Sequence, residues 1–481
     1  MKNFYQRILI LLFVFTAANS VYAQNNPVPR WAKAPNGKFV CYTDEMEKYR
    51  YTNSGLKDNN AAFEKWVNNQ TKILNDNPNT EFRSVPIVYT LPVIFHIIHN
   101  GEAKGTGRNI GKAFIDSQIV QLNNDFRRNA GTSGFNTHAF GADVEIQFAA
   151  AILSPANAVL AEPGIERINR NAGGWTAPPH LDTYMQSTIK PNSIWNPDKY
   201  INIWVCELKD VSGAILGYAQ GPVAPGNIGQ DDDTTSTANT DGIVLDFSVI
   251  GSSNKKPAGS YPFDEGRILT HEMGHFFGLR HVWGEGNCDF DDFIFDTPRQ
   301  SGVIFGCNIN MNSCDETQYG SPGDSVDMVR NYMQYSDNAC VNIFTIGQKN
   351  RMRVIMGETG VGSPRRASLR FSDRCLSKPL VSFITTDTTV MERTACNFPW
   401  GFNIPVSISR APAAVTNVKF TITGNTDGQD YTISPDSVSF SPTDTADKSF
   451  SIIINPDAVM EGHEQAKFYL TICLRLLYNR K

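Results

Sequence analysis

Apolar residues recur along the chain in two spacings, which predict strands and helices in mixed order. Alternating or continuous apolar positions predict strands, whereas positions three or four residues apart predict helices. The expected strands are residues 88–98, 144–151, 200–206 and 242–247, and the expected helices are residues 61–74, 115–128 and 346–356. This order predicts an α/β domain, in which a twisted mixed sheet lies over the helix that carries the motif described below.

The pattern changes near residue 371. Helical spacing ends there, and short alternating strands separated by Pro, Gly, Asp and Thr continue to about residue 472. Such a run is typical of an all-β sandwich. A chain of 481 residues is long enough for two or three domains. We therefore expect an α/β domain over residues 86–371 and a sandwich over residues 372–481, whose basic, Leu-rich end resembles a truncation or a frame change.

One segment, from His271 to His281, carries candidate metal ligands in the order H-E-x-x-H-x-x-G-x-x-H. On a helix, His271 and His275 lie one turn apart on the same face, so both can bind one metal ion. Gly278 can end the helix with backbone angles that other residues resist, which would let His281 reach the same ion. Three imidazoles and a water form an open, catalytic zinc site. Glu272, beside the first ligand, can take a proton from that water.

A second motif, Asn331-Tyr-Met-Gln-Tyr335, follows about fifty residues later. The extended histidine motif followed by a turn that contains methionine is the metzincin pattern. From residue frequencies, the probability that the two motifs occur here by coincidence is below about 2 %. The two motifs predict a zinc-dependent endopeptidase that acts on proteins or peptides.

Two other functions fit parts of this pattern. The first is an inactive metzincin-fold protein whose C-terminal tail mediates adhesion, but such a protein has no chemical need for Glu272. The second is a zinc peptidase whose third ligand is a distant glutamate, which His281 disfavours. The substrate and its cleavage site cannot be read from the sequence.

The N-terminus has the features of a secretory signal. Lys2 and Arg7 precede the apolar residues 8–18, and Val21-Tyr-Ala23 is a small-x-small cleavage site. The apolar run is too short to span a bilayer with ease. We expect a signal peptide over residues 1–23, secretion, and no membrane anchor after its removal. A net charge of −5 gives no reason to expect nucleic acid as a partner.

Nine cysteines become informative in an exported protein. Four of them follow the zinc motif closely and are expected to form two disulfides, with three pairings open: Cys288, Cys307, Cys314 and Cys340. The polar residues 24–85, rich in Asn and Lys, are interpreted as a pro-segment that keeps a protease silent before export.

With both motifs and the four cysteines, residues 86–358 resemble the pappalysin-type metzincins, the cytophagalysin group of secreted bacterial proteases. The resemblance includes Asp296-Thr-Pro298 and Phe344-Thr-Ile-Gly-Gln348. It implies the disulfides Cys288–Cys314 and Cys307–Cys340. It also implies structural calcium near Asp292, Asp296 and Thr297, for which a solvated loop is the alternative.

The resemblance also assigns roles to three further residues. Cys41, in Cys-Tyr-Thr-Asp-Glu, is similar to a pro-segment cysteine whose thiolate binds zinc in the latent form; a disulfide or an inert thiol is the alternative. Met333 would form an apolar floor beneath the zinc. Tyr335 would stabilise the oxyanion, with core packing as the alternative. The tail resembles a Calx-β sandwich and is expected to bind a surface or matrix.

Overall fold

The computed structural model describes residues 33–46, 48, 60–76, 88–224, 228–229, 238–252, 261–376, 379, 381–383, 400–424, 431–454 and 466–473. The expected signal peptide lies outside these residues. The chain divides into two compact units, Met1–Arg370 and Phe371–Lys481. The expected limits of the pro-segment, the catalytic domain and the tail remain predictions.

Within its described residues, the first unit has five main helices and six main strands. In chain order they are α1 (Asn60–Asp76), β1 (Tyr89–His99), α2 (Lys112–Phe126), β2 (Ile146–Ala150), β3 (Ile165–Asn169), β4 (Ile201–Cys206), β5 (Gly217–Ala219), β6 (Ile243–Asp246), α3 (Arg267–Phe276), α4 (Ile346–Ile355) and α5 (Pro364–Leu369). Shorter pieces are the helical turns Asp182–Tyr184, Met185–Ile189, Ala238–Thr240, Phe247–Val249 and Glu316–Tyr319, and the two-residue strand pairs His180–Leu181 with Leu208–Lys209 and Val223–Ala224 with Ile228–Gly229.

The six strands form one mixed sheet. Both β2 and β3 pair in parallel with β1, β2 with its first half and β3 with its second half. The path continues through β4 and β6, both parallel, and ends at β5, which runs antiparallel to β6. Every residue of β4 is buried, as expected when helices cover both faces of a parallel sheet. The mixed sheet with its helices confirms the predicted metzincin fold class.

The described residues of the second unit form two antiparallel sheets. Its strands are β7 (Val381–Phe383), β8 (Trp400–Ile408), β9 (Thr416–Gly424), β10 (Tyr431–Ser434), β11 (Ser437–Phe440), β12 (Lys448–Ile454) and β13 (Ala466–Cys473). One sheet has the order β7–β8–β12–β10 and the other β11–β9–β13. Val406 and Phe450 of the first sheet share a core with Val418 and Phe440 of the second. The strands suggest the expected sandwich in part, and the Calx-β resemblance stays a prediction.

None of the helices in the described ranges has the length and apolar character that a membrane span requires.

Candidate metal centre

Helix α3 places three of the predicted site residues. All ten of its residues are buried, including His271, Glu272 and His275. The helix begins at Arg267, after Gly266 in a left-handed conformation with a φ of 75°. Asn338 supports this start, because its side-chain oxygen accepts hydrogen bonds from the backbone N–H groups of Glu265 and Arg267, both at 3.2 Å.

Gly278 turns the chain after α3, as the sequence predicts. Its φ is 85°, and a Cβ there would lie 3.1 Å from Pro222 Cγ and 3.3 Å from Ile355 Cγ1. Both the backbone angle and the close packing therefore favour glycine. The turn brings His281 back towards the helix.

The three histidines present their Nε2 atoms to one point. The Nε2 atoms of His271 and His275 are 3.1 Å apart, and that of His281 lies 3.3 Å from the first and 3.2 Å from the second. A tetrahedral zinc ion about 2.0–2.1 Å from each nitrogen would space neighbouring nitrogens by about 3.3 Å. The histidines therefore fit a single tetrahedral ion.

The other ring nitrogen of each histidine has its own acceptor. His271 Nδ1 donates to the carbonyl oxygen of Tyr332 at 2.7 Å, and His275 Nδ1 donates to that of Leu279 at 2.9 Å. His281 Nδ1 lies 2.6 Å from a carboxylate oxygen of Glu285. Because a carbonyl oxygen can only accept, the Nε2 lone pairs of the first two rings are free to bind a metal. Burial lowers the pKa of His275 to about 3, which favours the same neutral form.

Cys41 is the fourth candidate ligand. Its Sγ is buried and lies 3.6 Å from His275 Nε2. A zinc–sulfur distance of about 2.3 Å would give a sulfur–nitrogen spacing of about 3.6 Å in a tetrahedral site. Cys41, His271, His275 and His281 form one of two groups of potential ligands that we find in the described part of the chain; the other is Asp44, His281 and Glu285. A thiol and three imidazoles are a donor set that zinc accepts.

Glu272 is fully buried one residue after the first ligand, and burial raises its pKa to about 8. Its Oε2 accepts a hydrogen bond from Thr43 Oγ1 at 3.0 Å. The same hydroxyl oxygen accepts from the backbone N–H of Ala219 at 3.0 Å. Thr43 therefore links the carboxylate to the antiparallel strand β5.

Residues 39–42 lie along the stretch that leads into β5. The backbone N–H of Phe39 donates to Ala214 O, that of Leu216 to Phe39 O, and that of Tyr42 to Gly217 O, each at 2.9 Å. These bonds hold Cys41 and Thr43 over the histidines and Glu272.

The second predicted motif packs against α3 and the histidine rings. Met333 is fully buried, and a Cβ added to Gly274 would lie 2.4 Å from its Sδ, so the methionine packs directly against α3. The ring of Tyr335 lies 5.6 Å from that of His271 and 5.2 Å from that of His281, between ring centres. Its hydroxyl donates to Cys41 O at 3.4 Å. Both residues are thus at the histidine cluster.

Helix α1 contacts the far side of this turn. Arg351, on α4, donates to the two Glu64 oxygens at 2.6 and 2.8 Å, and Arg280 Nε donates to Glu64 at 2.9 Å. Arg351 Nε also donates to Gly278 O at 2.6 Å. Burial alone would raise the pKa of Glu64, but the guanidiniums of Arg351 and Arg280 outweigh it and lower that pKa. A buried carboxylate on α1 therefore contacts the segment between His275 and His281.

Two disulfides cross-link the loop that follows. They join Cys288 to Cys314 and Cys307 to Cys340, the pairing that the resemblance implied. Cys41, Cys206 and Cys375 are free thiols.

The expected calcium residues lie in the same loop. Thr297 Oγ1 is 2.8 Å from both carboxylate oxygens of Asp292, and Asp296 Oδ2 accepts from Gly347 N at 2.9 Å. None of the three belongs to either group of potential ligands found among the described residues. Calcium therefore stays a prediction.

Sequence reasoning missed Glu285, Thr43, Asp44 and Glu64. An acid four residues after a candidate ligand is a signal that could have identified Glu285. Thr43 and Asp44 belong to the Cys-Tyr-Thr-Asp-Glu segment that the resemblance pointed out for Cys41, but no role was assigned to them. Glu64 lies within the helix expected over residues 61–74, and no local pattern marks its contacts with distant residues.

Comparison with known proteins assigns the site to a family. The sequence profile of a peptidase family described as Pregnancy-associated plasma protein-A matches residues 183–357. The chain is 29% identical over 282 residues to an extracellular metalloprotease of Arthroderma benhamiae, covering 58% of this chain and 76% of that protein. It is 39% identical over 156 residues to extracellular metalloprotease 1 of Coccidioides posadasii, covering 32% of this chain and 49% of that protein.

A solved structure matches over a longer stretch. A promirolysin mutant from Tannerella forsythia is 30% identical, with a TM-score of 0.52, and the match covers 69% of this chain and 96% of that one. The chain belongs to the pappalysin family of metzincin proteases. This pappalysin is therefore a metalloprotease, and like the relatives named extracellular it is a secreted protein.

Proposed function

We propose that this pappalysin is a zinc endopeptidase that cleaves proteins with Glu272 as general base, and that residues 24–85 are its pro-segment. The observation that carries the proposal is the convergence of three Nε2 atoms, 3.1–3.3 Å apart, beside a buried carboxylate. His271, His275 and His281 would hold the ion. Zinc bound there supplies Lewis-acid activation of water and of the scissile carbonyl.

Three side chains of the protein would carry out the other parts of the mechanism. Glu272 has one carboxylate oxygen without a hydrogen-bond partner among the described residues, and it would take a proton from water and deliver it to the leaving amine. Tyr335 carries a phenolic donor at the cluster and would stabilise the developing oxyanion. Met333 packs beneath α3 and keeps the ligand helix in place.

The same contacts support a latent form. Cys41 Sγ lies at the spacing expected of a fourth ligand, Thr43 bonds to the base, and Cys41 O accepts the hydrogen bond of Tyr335. One short segment thus covers the metal position, the base and the oxyanion donor. Removal of residues 24–85 would expose all three at once. The promirolysin relative is, as its name says, a pro-form.

The replacement of Glu272 by alanine tests the base. In protein freed of the pro-segment, we expect casein cleavage to fall by about 10³-fold or more, because proton transfer and water positioning are lost together. Zinc content should be unchanged, because Glu272 is not a ligand. The matched control is Glu265→Ala, an acid just before the same helix.

Elemental analysis and a casein assay read out both quantities. Cleavage near that of the wild type would remove Glu272 from the mechanism. A wild-type protein that holds one zinc, lacks the pro-segment and still fails to cleave casein would favour the inactive, adhesive alternative.

A further inference from the structure

Glu285 makes His281 different from the other two histidines of the site. His271 and His275 donate their Nδ1 protons to neutral backbone carbonyls. His281 instead faces a carboxylate, with its Nδ1 2.6 Å from Glu285 Oε2. Hydrogen bonds to an ionised acceptor are about twice as strong as those between neutral groups.

The carboxylate of Glu285 holds His281 at two places. Besides the ring contact, Glu285 Oε1 accepts from the backbone N–H of His281 at 2.9 Å. The chain returns through Gly284 and Glu285, whose φ angles are 59° and 66°. A left-handed conformation is unfavourable for a residue with a Cβ, and here it aims the carboxylate back at the ligand.

Trp283 closes the other side of the ring. Its plane lies within 9° of that of His281, at 4.2 Å between ring centres. The imidazole is therefore stacked on an indole, hydrogen-bonded at Nδ1 and bonded at its own backbone, and its Nε2 has one direction left to point. This restriction is what a metal ligand needs, since less rotational freedom is lost on binding.

We propose that Glu285 is a positioning residue of the metal centre that holds His281 and strengthens it as a metal ligand. This inference rests on the proposed function. A carboxylate that accepts the Nδ1 proton fixes the tautomer and raises the electron density at Nε2, which increases metal affinity.

Asp44 adds a second carboxylate to the same position. Its Oδ2 lies 3.6 Å from His281 Nδ1, and it comes from the proposed pro-segment. In the latent form Asp44 and the Cys41 thiol can therefore compensate in part for a lost Glu285. After removal of the pro-segment, Glu285 remains as the carboxylate at His281, so the effect of its replacement should be larger.

The dissociation constant of zinc tests the proposal. It is measured by competition with a chelator, in the latent chain and after removal of residues 24–85. In the processed protein we expect Glu285→Ala to raise the constant by about 10- to 100-fold, and Glu285→Gln, which keeps one acceptor oxygen, by less. In the latent chain both increases should be smaller. Asp289→Asn, which removes a carboxylate from the same loop, is the matched control.

Cobalt(II) substituted for zinc gives a second readout, because its visible absorption reports the ligand field rather than activity. We expect the Glu285 variants to shift that absorption and the control to leave it unchanged. A zinc constant for Glu285→Ala within threefold of the wild type, with an unchanged cobalt spectrum, would overturn the proposal. If Glu285→Ala does not fold without metal, Glu285→Gln decides by the same two measurements. A wild-type protein that binds neither zinc nor cobalt would instead refute the proposed function.

Discussion

The Glu64 carboxylate offers the sharpest test of how α1 is held. Replacing it by glutamine leaves the shape of the side chain but removes the negative charge that faces Arg351 and Arg280. The guanidinium of Arg351 is then left without that charge in a buried place, and that of Arg280 in a half-buried one. Breaking a buried ion pair by removing one partner costs about 3–5 kcal/mol. Because glutamine keeps one acceptor oxygen, we take the low end, about 3 kcal/mol.

Hydrogen exchange of α1 measures this loss directly. A decrease of about 3 kcal/mol in the free energy of local opening corresponds to about a 10²-fold faster amide exchange in residues 60–76. The matched control is Asp76→Asn, which removes an exposed carboxylate from the same helix. The inactive Glu272→Ala background prevents self-cleavage during the measurement. Exchange in Glu64→Gln within threefold of that control would refute the reasoning.

The same pair predicts a dependence on pH. The pKa of Glu64 is lowered from its ordinary value of 4.5, so its ionised form is stabilised by docking. The stabilisation is complete above pH 4.5 and is lost as the pH falls through the lowered pKa. In the wild type, exchange of α1 relative to the rest of the first unit should therefore accelerate as the pH falls below 4.5. In Glu64→Gln this acceleration should be absent. An identical pH profile in the two proteins would show that another group controls the opening.

Three further predictions concern the site and the tail. Cys41→Ala should speed self-cleavage of the latent chain by at least about tenfold, which corresponds to a loss of about 1.4 kcal/mol in the free energy that keeps the site blocked. An unchanged latency would show that contacts of Thr43 and α1 block the site instead. Tyr335→Phe in the processed enzyme should lower kcat by about 10²-fold with little change in KM, from steady-state peptide assays; an unchanged kcat would leave Tyr335 a packing role. Deleting residues after 372 should leave short-peptide cleavage largely intact; its collapse in a truncation that still folds would mean that the tail helps to build the active site.

Much of the first unit could be predicted because its signals are local. The helical and alternating spacings placed α2, β1 and β4 within a few residues of their observed bounds. The spacing of His271 and His275 predicts that they share one face of α3, and the position of Gly278 predicts the turn that follows. These features depend on neighbours in sequence, which is why reading the chain alone could find them.

Contacts between distant segments could not be predicted in the same way. Strand β5 has three residues, too few for an alternating pattern, yet its Gly217 and Ala219 bond to Tyr42 and Thr43. Helix α3 begins at Arg267, where the side-chain oxygen of Asn338, over seventy residues away, accepts from the backbone N–H groups of Glu265 and Arg267. Neither feature can be recognised from residues that are neighbours in the sequence.

The two disulfides have a consequence for the protein's survival among proteases, itself included. Their spans overlap, since Cys307 lies between Cys288 and Cys314, and Cys314 lies between Cys307 and Cys340. A single cut at any peptide bond between Cys288 and Cys340 therefore leaves the two fragments covalently joined by at least one bridge. This stretch exposes large apolar side chains, such as Phe290, Phe295 and Tyr319, on a surface that a protease can reach. A nick there would shorten the chain on a reducing gel while Met333 and Tyr335 stay tethered to the histidines, so the enzyme can be cut in this loop without being taken apart.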